Sequence, residues 1–308
     1  MMDPGERELM KELLLKAATL TEALPWIKSL WGRTVVIKYG GAAMTDPALR
    51  DQVAADVVLM KLVGMNPVVV HGGGPEITSF MERLGIEVRF HQGLRVTTDE
   101  TMEIVKMVLV GKVNKELVAA INAHGRLAVG LAGDDGNTIV ARQKDPALGR
   151  VGEVTAIDTT VTDNLIEDGF IPVIATVAAG EDGGSYNINA DTVAGDLAAA
   201  LSAAKVIFLT DVDGLYRDFA DKSSLISKLT LAECEEMIAS DALSSGMIPK
   251  VAGCARALRG GVERTHILNG TIPHALLLEV YTDQGVGTMI TDVGAVPDAL
   301  AESEGGES

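Results

Sequence analysis

Hydrophobic and polar positions follow two recurring periods along the chain. Residues 8–24 carry leucines and other apolar residues three and four positions apart, which predicts an amphipathic helix that ends near Pro25. After it, short β-branched runs, glycine turns and helical patterns alternate, and this succession is typical of βαβ units. Strands are predicted at residues 34–39, 67–71, 171–177, 205–210 and 265–268. The pattern favours an α/β fold with a mainly parallel open sheet.

Capping residues mark several helix starts. The predicted starts are the pairs Thr45 with Pro47, Thr97 with Glu100 and Thr230 with Glu233. The first of these helices is expected to run to about Gly64, and the second to stop at Gly125. Residues 130–164 lack long helical periodicity, so we expect β-rich connecting structure there.

No Pro- or Ser-rich linker interrupts the chain, so we expect one sheet with two lobes. The division is an N-terminal helix and connection (1–31), an N-terminal lobe (32–180), a C-terminal lobe (181–295) and a tail predicted to be disordered (296–308). The helix of residues 8–24 either folds back on its own core or docks on another subunit, and the pattern favours neither.

Charge and composition narrow the function classes. The chain has 26 Lys and Arg against 43 Asp and Glu, a net charge of −17 that repels nucleic acid and anionic membranes. It has no apolar run near the roughly 18 residues of a membrane span, and no secretory signal. Cys234 and Cys254 form neither a disulfide framework nor a zinc spacing, and we expect both to be reduced and buried. We therefore expect a cytoplasmic enzyme without nucleic-acid or membrane partners.

Three glycine-rich turns follow predicted strands directly. They are Lys38-Tyr39-Gly40-Gly41, His71-Gly72-Gly73-Gly74-Pro75 and Thr210-Asp211-Val212-Asp213-Gly214. In open α/β sheets ligands bind at the carboxyl ends of the strands, and glycine lets backbone N–H groups approach an anion. One such turn would be ordinary, but three together indicate a site for a phosphorylated or carboxylated ligand.

Two standard nucleotide signatures are absent. Gly111-Lys112 continues with Val113, so there is no P-loop, and Ile77 stands where the dinucleotide fingerprint needs its third glycine. A nicotinamide oxidoreductase is therefore disfavoured. The histidines have no metal-ligand spacing, and His71 is interpreted as a strand-end histidine rather than a base.

In so acidic a protein, local positive charge must meet an anionic substrate. Lys38, Arg95 and Lys250 are the candidates, and the planar fork of Arg95 suits a carboxylate. Each also has an ordinary interpretation as an edge, structural or solvated side chain. Asp191 is either a helix cap or a group that orients the lysines or sits near a metal ion. Asn187 is either a turn residue or a substrate contact.

The motifs as a set resemble the amino acid kinase family, and within it the members that phosphorylate acetylglutamate. The matching stretches are VVIKYGGAAM, VVVHGGGPEI, QGLRVTTDETMEIV, YNINADTVAGDLAAAL, LTDVDGLY, GMIPKV and GTMI. The resemblance implies an αβα sandwich with an acetylglutamate-binding, dimerising N-terminal lobe and an ATP-binding C-terminal lobe. It also implies the reaction: phosphorylation of the side-chain carboxylate of N-acetyl-L-glutamate to N-acetyl-L-glutamyl 5-phosphate, the second step of arginine biosynthesis.

The resemblance assigns roles to residues. Lys38 and Lys250 would stabilise the transferring phosphoryl group, and Asp191 would hold both lysines. The implied substrate residues are Gly72, Gly73, Gly74, Arg95 and Asn187. The implied ATP residues are Gly40, Gly41, Leu209, Thr210, Asp211, Val212, Asp213 and Gly214. Mg²⁺ would arrive with ATP, without a dedicated metal site.

The N-terminal helix resembles the extension of arginine-inhibited family members, in which such helices join dimers into a hexameric ring. Feedback inhibition by L-arginine is implied, with His266, Glu279 and Gly287 at the effector site. The sequence leaves open whether the homo-oligomer is a dimer or a hexamer and whether a PII-type protein binds. One departure is Asp134, which stands where the family is expected to carry a lysine and so puts local contacts in doubt.

Other functions stay open at this point. Within the same fold, the runner-up is a glutamate, aspartate, carbamate or nucleoside monophosphate kinase such as a UMP kinase. From another class, the chain could be a catalytically silent regulator that binds arginine or a nucleotide. The presence of both Lys38 and Lys250 with Asp191 argues against that, because a mere binder needs no second lysine across the phosphoryl path.

Overall fold

The computed structural model describes residues 3–44, 46–240, 243–244, 246–282 and 285–292. Within these ranges the α-helices are α1 (Pro4–Glu22), α2 (Leu24–Leu30), α3 (Pro47–Leu62), α4 (Gly74–Arg83), α5 (Asp99–Lys106), α6 (Asn114–Asn122), α7 (Thr160–Glu167), α8 (Ala190–Ala200), α9 (Leu231–Ala239), α10 (Ile248–Arg259) and α11 (Ala275–Tyr281). A π-helical segment, Met107–Val113, joins α5 to α6.

The strands fall into a large sheet and smaller ones. They are β1 (Thr34–Tyr39), β2 (Asn66–His71), β3 (Phe90–His91), β4 (Leu94–Arg95), β5 (Ala128–Ala132), β6 (Ile139–Gln143), β7 (Gly152–Ile157), β8 (Ile171–Ala175), β9 (Val177–Gly180), β10 (Ser185–Asn187), β11 (Lys205–Thr210), β12 (Leu215–Tyr216), β13 (Leu225–Ile226), β14 (Lys228–Thr230), β15 (Arg264–Asn269) and β16 (Thr288–Thr291).

The large sheet has the order β14-β16-β15-β11-β1-β2-β8-β5, and every neighbouring pair is parallel except β15 with β16. The register aligns the carboxyl ends of the central strands: Lys38 of β1 lies between Val70 of β2 and Phe208 of β11. A second sheet has the order β10-β9-β6-β7. The expected α/β class and mainly parallel open sheet are confirmed.

Helices cover both faces of the large sheet because its strands are apolar on both sides. On one face Val36 and Val206 pack with α8 and α10, and on the other Val35 and Ile207 pack with α3 and α6. This is the αβα sandwich that the resemblance implied. Cys234 and Cys254 are fully buried and free, as expected, and burial raises the pKa of both thiols. The division into two lobes stays a prediction.

The capping hydrogen bonds confirm one predicted helix start and correct others. The capping box of Thr230 with Glu233 is confirmed, but the one at Thr97 is wrong. Thr98 caps α5 by accepting from the Thr101 amide, while the Thr97 hydroxyl donates to the carbonyl of Arg95. Thr45 lies outside the described residues, and Asp46 caps α3. The second predicted helix continues through its π segment and ends at Asn122, close to the expected stop.

The predicted strand 171–177 is also wrong, because it is two strands. β8 ends at Ala175 in the large sheet, and β9 starts at Val177 in the second sheet. The chain changes sheet at Thr176, and both segments are too apolar for the sequence to mark the change. The β-rich character expected for 130–164 is confirmed by β6 and β7 up to Ile157, but α7 begins at Thr160, within the same range.

The N-terminal helix does not fold back on the core. Every described side chain of α1 up to Leu20 is exposed, and the exposed fraction reaches 68% for Leu15 and 74% for Leu20. α2 does reach the core, where Leu30 is buried. The tail 296–308 lies outside the described residues. Within the described ranges, none of the helices combines the length and apolarity needed to cross a membrane.

Candidate active site

Lys38 lies at the carboxyl end of the central strand β1. Its side chain is only 8% exposed, and its Nζ lies 3.0 Å from Oδ1 of Asp191. The ammonium occupies the space where a side chain on residue 40 would stand, so a larger residue at Gly40 would displace the lysine from this position. Gly41 has φ +72°, and a Cβ there would lie 3.3 Å from the amide nitrogen of Asp211. The first predicted loop therefore contacts the third.

Asp191 and Lys250 are brought together by two closely packed helices. Asp191 lies in the first turn of α8, and Lys250 in the first turn of α10. The helices meet at two glycines, since a Cβ on Gly195 would lie 2.5 Å from the carbonyl oxygen of Gly253. Lys250 Nζ consequently lies 3.4 Å from Oδ2 of Asp191. The alternative in which Asp191 caps α8 is wrong, because Asn189 accepts from the first amides.

The charges of Lys38, Asp191 and Lys250 influence the pKa values at this site. Burial lowers the pKa of Lys38 and the charge of Lys250 adds to this effect, while Asp191 opposes it. Burial alone would raise the pKa of Asp191, but the two ammonium groups outweigh it and hold that pKa below its ordinary value. Asp191 is therefore a carboxylate, and one negative charge faces two lysines.

A cavity of about 230 Å³ opens beside Lys38 and Asp191. Its walls come from the first two glycine loops, the β3–β4 hairpin and the start of α8. The predicted residues that line it are Lys38, Gly40, Gly41, Gly72, Gly73, Gly74, Arg95, Asn187 and Asp191. Residues that were predicted from four separate segments thus meet at one site.

Arg95 reaches this cavity from β4 with its guanidinium fixed. Nη2 donates to the carbonyl of Gly74 at 2.9 Å and to Oγ1 of Thr78 at 2.7 Å, and the group lies 4.9 Å from the ring centre of Phe90. Among the described residues, the one hydrogen-bond partner of Nη1 is the sulfur of Met81, at 3.6 Å. The Arg95 side chain is buried, and burial lowers its pKa. Its unused N–H groups suit a carboxylate.

Residues 209–214, which were predicted to bind the nucleotide, adjoin the cavity but do not line it. Gly41 packs against Thr210 and Asp211, whereas the side chain of Leu209 is fully buried in the core. Gly214 must be glycine, because a Cβ there would lie 2.5 Å from Oγ1 of Thr288. Lys250 is likewise beside the cavity rather than in its wall.

Asp213 is held by two residues that the sequence did not single out. It accepts from the Tyr216 hydroxyl at 2.6 Å and from Asn269 Nδ2 at 2.7 Å. These hydrogen bonds lower the pKa of Asp213. Asn269 ends β15, far along the chain, and no motif signalled it. Phe90 also lines the cavity without having been assigned a role.

The three residues expected at an effector site meet at a second cavity of about 120 Å³. His266 Nδ1 lies 2.6 Å from Oε1 of Glu279, while Glu279 Oε2 accepts from the Val286 amide at 2.7 Å. Gly287 lies in the wall, and Trp26 of α2 and Lys205 complete one side. Burial lowers the pKa of Lys205 to about 8.

Asp134, the departure from the family pattern, lies away from both cavities. Its Oδ2 accepts from Ser185 at 3.3 Å, and burial with the neighbouring charge of Asp135 raises its pKa. Its contacts are therefore local.

The chain resembles known proteins over nearly its whole length. The amino acid kinase family model matches residues 33–269. An acetylglutamate kinase of Nostoc punctiforme is 53% identical over 291 residues, which are 94% of this chain and 98% of that protein. One from Nostoc sp. is 54% identical over 276 residues, 89% of this chain and 93% of that protein.

Among solved structures, N-acetylglutamate synthase from Neisseria gonorrhoeae complexed with coenzyme A and N-acetyl-glutamate aligns with TM-score 0.80 and 25% identity. The alignment covers 91% of this chain, which spans only 64% of that synthase. The same synthase with L-arginine aligns with TM-score 0.75 and 23% identity, over 89% of this chain and 65% of that one. From the fold, the matched family model and these relatives, we conclude that the chain belongs to the amino acid kinase family and is an enzyme of its acetylglutamate kinase group.

Proposed function

We propose that the enzyme transfers the γ-phosphoryl group of MgATP to the side-chain carboxylate of N-acetyl-L-glutamate. The observation that carries this proposal is the carboxylate of Asp191, which faces two ammonium groups at the edge of a cavity with a buried arginine. The names of relatives more than half identical in sequence supply the substrate.

The acceptor needs no general base. A glutamate side-chain carboxylate is already ionised near neutral pH, so its oxygen attacks the γ-phosphorus directly. The new bond joins that oxygen to phosphorus, the bond to the β-phosphate oxygen breaks, and ADP leaves with the electron pair. Catalysis then rests on alignment and on neutralising the charge that spreads over the phosphoryl oxygens.

We assign that neutralisation to Lys38 and Lys250. Asp191 lies 3.0 Å from one ammonium and 3.4 Å from the other, so it fixes both without cancelling their combined charge. Lys38 lines the cavity proposed for acetylglutamate. Lys250 does not line that cavity, and it contacts Asp191, which does. Donors that are already oriented cost no reorganisation when charge develops.

Arg95 and Asn187 are proposed to bind the substrate. The guanidinium of Arg95 is anchored through Nη2, which leaves its other N–H groups for the α-carboxylate. Asn187 Nδ2 lies 3.4 Å from Oγ1 of Thr97, on the wall of the same cavity. The glycines at 72–74 let the substrate and the phosphoryl group approach the backbone.

ATP is proposed to bind along Gly40, Gly41 and residues 209–214, with Mg²⁺ carried by its phosphates. Within the described residues, no three His, Cys, Asp or Glu side chains gather into a metal-holding group. The exposed carboxylate of Asp211, whose charge acts on Lys38, fits an ion that keeps most of its waters and phosphate oxygens. The ion's chemistry would be to neutralise the β- and γ-phosphates.

We further propose that L-arginine inhibits the enzyme from the second cavity. Glu279 offers a buried carboxylate to a guanidinium, and Nε2 of His266 is buried without a hydrogen-bond partner among the described residues. Because Trp26 lies in the wall of this cavity, the N-terminal helices have a physical link to it. The exposed apolar row on α1 supports a homo-oligomer joined through that helix, a hexamer in the arginine-inhibited form. A PII-type partner stays an open proposal.

The experiment is hydroxylamine trapping of an acyl phosphate formed with MgATP, with N-acetyl-L-glutamate and free L-glutamate as parallel substrates. Product with the acetylated substrate alone is the expected result. Product with glutamate alone would assign the enzyme to a sister kinase, and no product with either would favour a silent regulator.

A further inference from the structure

A buried asparagine connects two strands of the large sheet to the second glycine loop. Asn114 is fully buried at the start of α6, directly after the π-helical segment. Its Nδ2 lies 2.8 Å from the carbonyl oxygen of Val173, 3.3 Å from that of Leu131 and 3.1 Å from Nε2 of His71. A side chain on residue 130 would overlap Asn114 Oδ1, so Gly130 provides the space.

The carbonyl groups determine which way the Asn114 amide points. An amide oxygen that faced the carbonyl oxygens of Val173 and Leu131 would be repelled, so the group there must be NH₂. The opposite end agrees, because Lys115 Nζ lies 3.3 Å from Asn114 Oδ1. The NH₂ group is therefore a donor towards His71 as well.

The Asn114 NH₂ group, a donor that faces Nε2, determines the tautomer of His71. Nε2 must accept, so the proton of the neutral ring resides on Nδ1. The ring is fully buried, and burial lowers its pKa to about 4, which keeps it neutral near pH 7. Nδ1 lies 2.9 Å from the carbonyl oxygen of Gly72, and with the proton on Nδ1 it donates to that oxygen.

The hydrogen bond fixes the peptide between Gly72 and Gly73. The described chain has no cis peptide bonds, and in a trans peptide the C=O and the following N–H point in opposite directions. Since the Gly72 oxygen turns to the buried ring, the Gly73 N–H turns away from it. Gly72 and Gly73 line the cavity. Leu109 of the π-helical segment packs closely against Gly73, because a Cβ on Gly73 would lie 2.6 Å from its side chain.

We infer that His71, kept in its Nδ1–H tautomer by Asn114, is a positioning residue that aims the Gly73 N–H at the anionic group in the cavity. This inference rests on the proposed function, because the group that the amide would meet is the substrate carboxylate or the phosphoryl group it receives. The pair acts through the backbone and has no direct contact with substrate. A backbone donor held in place in advance contributes most where charge develops.

Two substitutions separate the two hydrogen bonds of His71. His71→Asn puts an NH₂ group near the place of Nδ1, so it keeps the bond to Gly72 and loses the one to Asn114. His71→Gln puts an amide near the place of Nε2, so it keeps the bond to Asn114 and loses the one to Gly72. We expect His71→Gln to lower kcat by on the order of 10- to 100-fold with little change in KM for ATP, and His71→Asn to retain most of kcat.

A purely structural role gives a different result, in which both variants lose thermal stability and kcat in parallel. Equal kcat values for the two variants, or a lower kcat for His71→Asn, would overturn the inference. Thermal unfolding of both variants accompanies the kinetics.

A second measurement uses the unchanged chain, and so does not depend on whether a variant folds. In protein with ¹⁵N-labelled histidine, the ring of His71 should have a protonated Nδ1 and an unprotonated Nε2, with His71→Asn used for assignment. A protonated Nε2 would overturn the inference. If the parent forms no acyl phosphate, the proposed function fails, and the tautomer measurement still decides the arrangement of the pair.

Discussion

At the scale of single residues, the candidate active site has more lysine side chains than carboxylates. The whole chain carries net charge −17, yet Asp191 contributes one negative charge against the two positive charges of Lys38 and Lys250. A local excess of positive charge is needed before an anionic substrate and ATP can meet in such a protein. Because the side chains of Lys38 and Asp191 are buried, their interaction is screened less than a surface ion pair.

The first prediction concerns Lys250. The Lys250→Met variant should lower kcat by on the order of 100- to 1000-fold, because it removes a donor proposed to act mainly on the transferring phosphoryl group. The KM for ATP should change little. Initial rates from hydroxylamine trapping give both quantities, and Lys144→Met, at an exposed loop lysine, is the matched control. Near-normal turnover of Lys250→Met would remove this residue from the mechanism.

The second prediction concerns the pH dependence of stability at Lys205. Burial lowers the folded-state pKa of this lysine to about 8, while in the unfolded chain the value is roughly 10.4. Between these values the unfolded state binds a proton that the folded state has lost, so this group's contribution to the free energy of unfolding rises with pH. Below about pH 8 its burial costs stability in full.

Lys205→Met lacks this dependence. The variant should therefore gain most stability relative to the parent near about pH 7, and that gain should shrink as pH rises towards about 9.5. Urea unfolding of both proteins at several pH values measures the difference, again with Lys144→Met as the control. A gain that is constant over this range would contradict a lowered pKa at Lys205.

At the scale of elements, the contact between α8 and α10 determines the distance between Asp191 and Lys250. The two helices approach backbone to backbone, and a Cβ on Gly253 would lie 2.6 Å from the carbonyl oxygen of Asp191 and 3.1 Å from the ring of Phe208. A backbone atom cannot move aside as a flexible side chain does. Any side chain at residue 253 must therefore separate the helices.

The third prediction follows from this contact. Gly253→Ala should destabilise the protein by about 1–3 kcal/mol through overpacking, and should also lower kcat because Lys250 moves from Asp191. Gly111→Ala is the matched control, because among the described residues nothing lies within 4 Å of a Cβ built there. Thermal unfolding and initial rates are measured on both. A Gly253→Ala variant as stable and as active as Gly111→Ala would show that the helices can separate freely.

The sequence predicted elements well where the local pattern alone decides them. β1 and β11 have the expected bounds, because each is a continuous apolar run that ends at a polar or glycine turn. The sequence-based predictions were wrong where tertiary contacts determine the bounds of an element. In the sequence, Glu100 favours Thr97 as the cap, but in the structure the Thr97 hydroxyl donates to the Arg95 carbonyl and Thr98 accepts from the Thr101 amide. The change of sheet at Thr176 depends on which strands lie nearby.

The same distinction applies to the candidate site. Lys38, Arg95 and Asp191 were singled out because they are charged residues at a strand end or next to a helix start, and such positions have recognisable patterns. Asn114 and Asn269 could not be found in this way. Asn114 lies within an apolar helical pattern, and its role depends on a π-helical segment that brings it to the carbonyl groups of two strands. Such long-range hydrogen bonds leave no local signal.

At the scale of the whole molecule, the N-terminal helices link two features that are far apart in sequence. α2 contributes Trp26 to the second cavity, beside Lys205, with Nζ of the lysine 5.6 Å from the ring centre. α1 precedes it and exposes a row of leucines to solvent. Exposed apolar rows of this kind mark sites of association. α2 is therefore the physical connection between α1 and the wall of the second cavity.

The last prediction tests this link by removal of residues 1–22, which deletes α1 and leaves α2 with Trp26 in its cavity. The candidate active site lies at the strand ends and includes no residue of α1, so kcat without arginine should be retained. The mass of the proposed oligomer, measured by light scattering, should fall because the apolar row is gone, and the proposed inhibition by L-arginine should weaken. Glu8→Gln, on the same helix, preserves the row and is the control. The shortened chain would keep both the number of subunits and the arginine sensitivity of the full chain only if α1 were not involved. In that outcome the exposed leucines would have no part in assembly, and the second cavity would respond to arginine independently of α1.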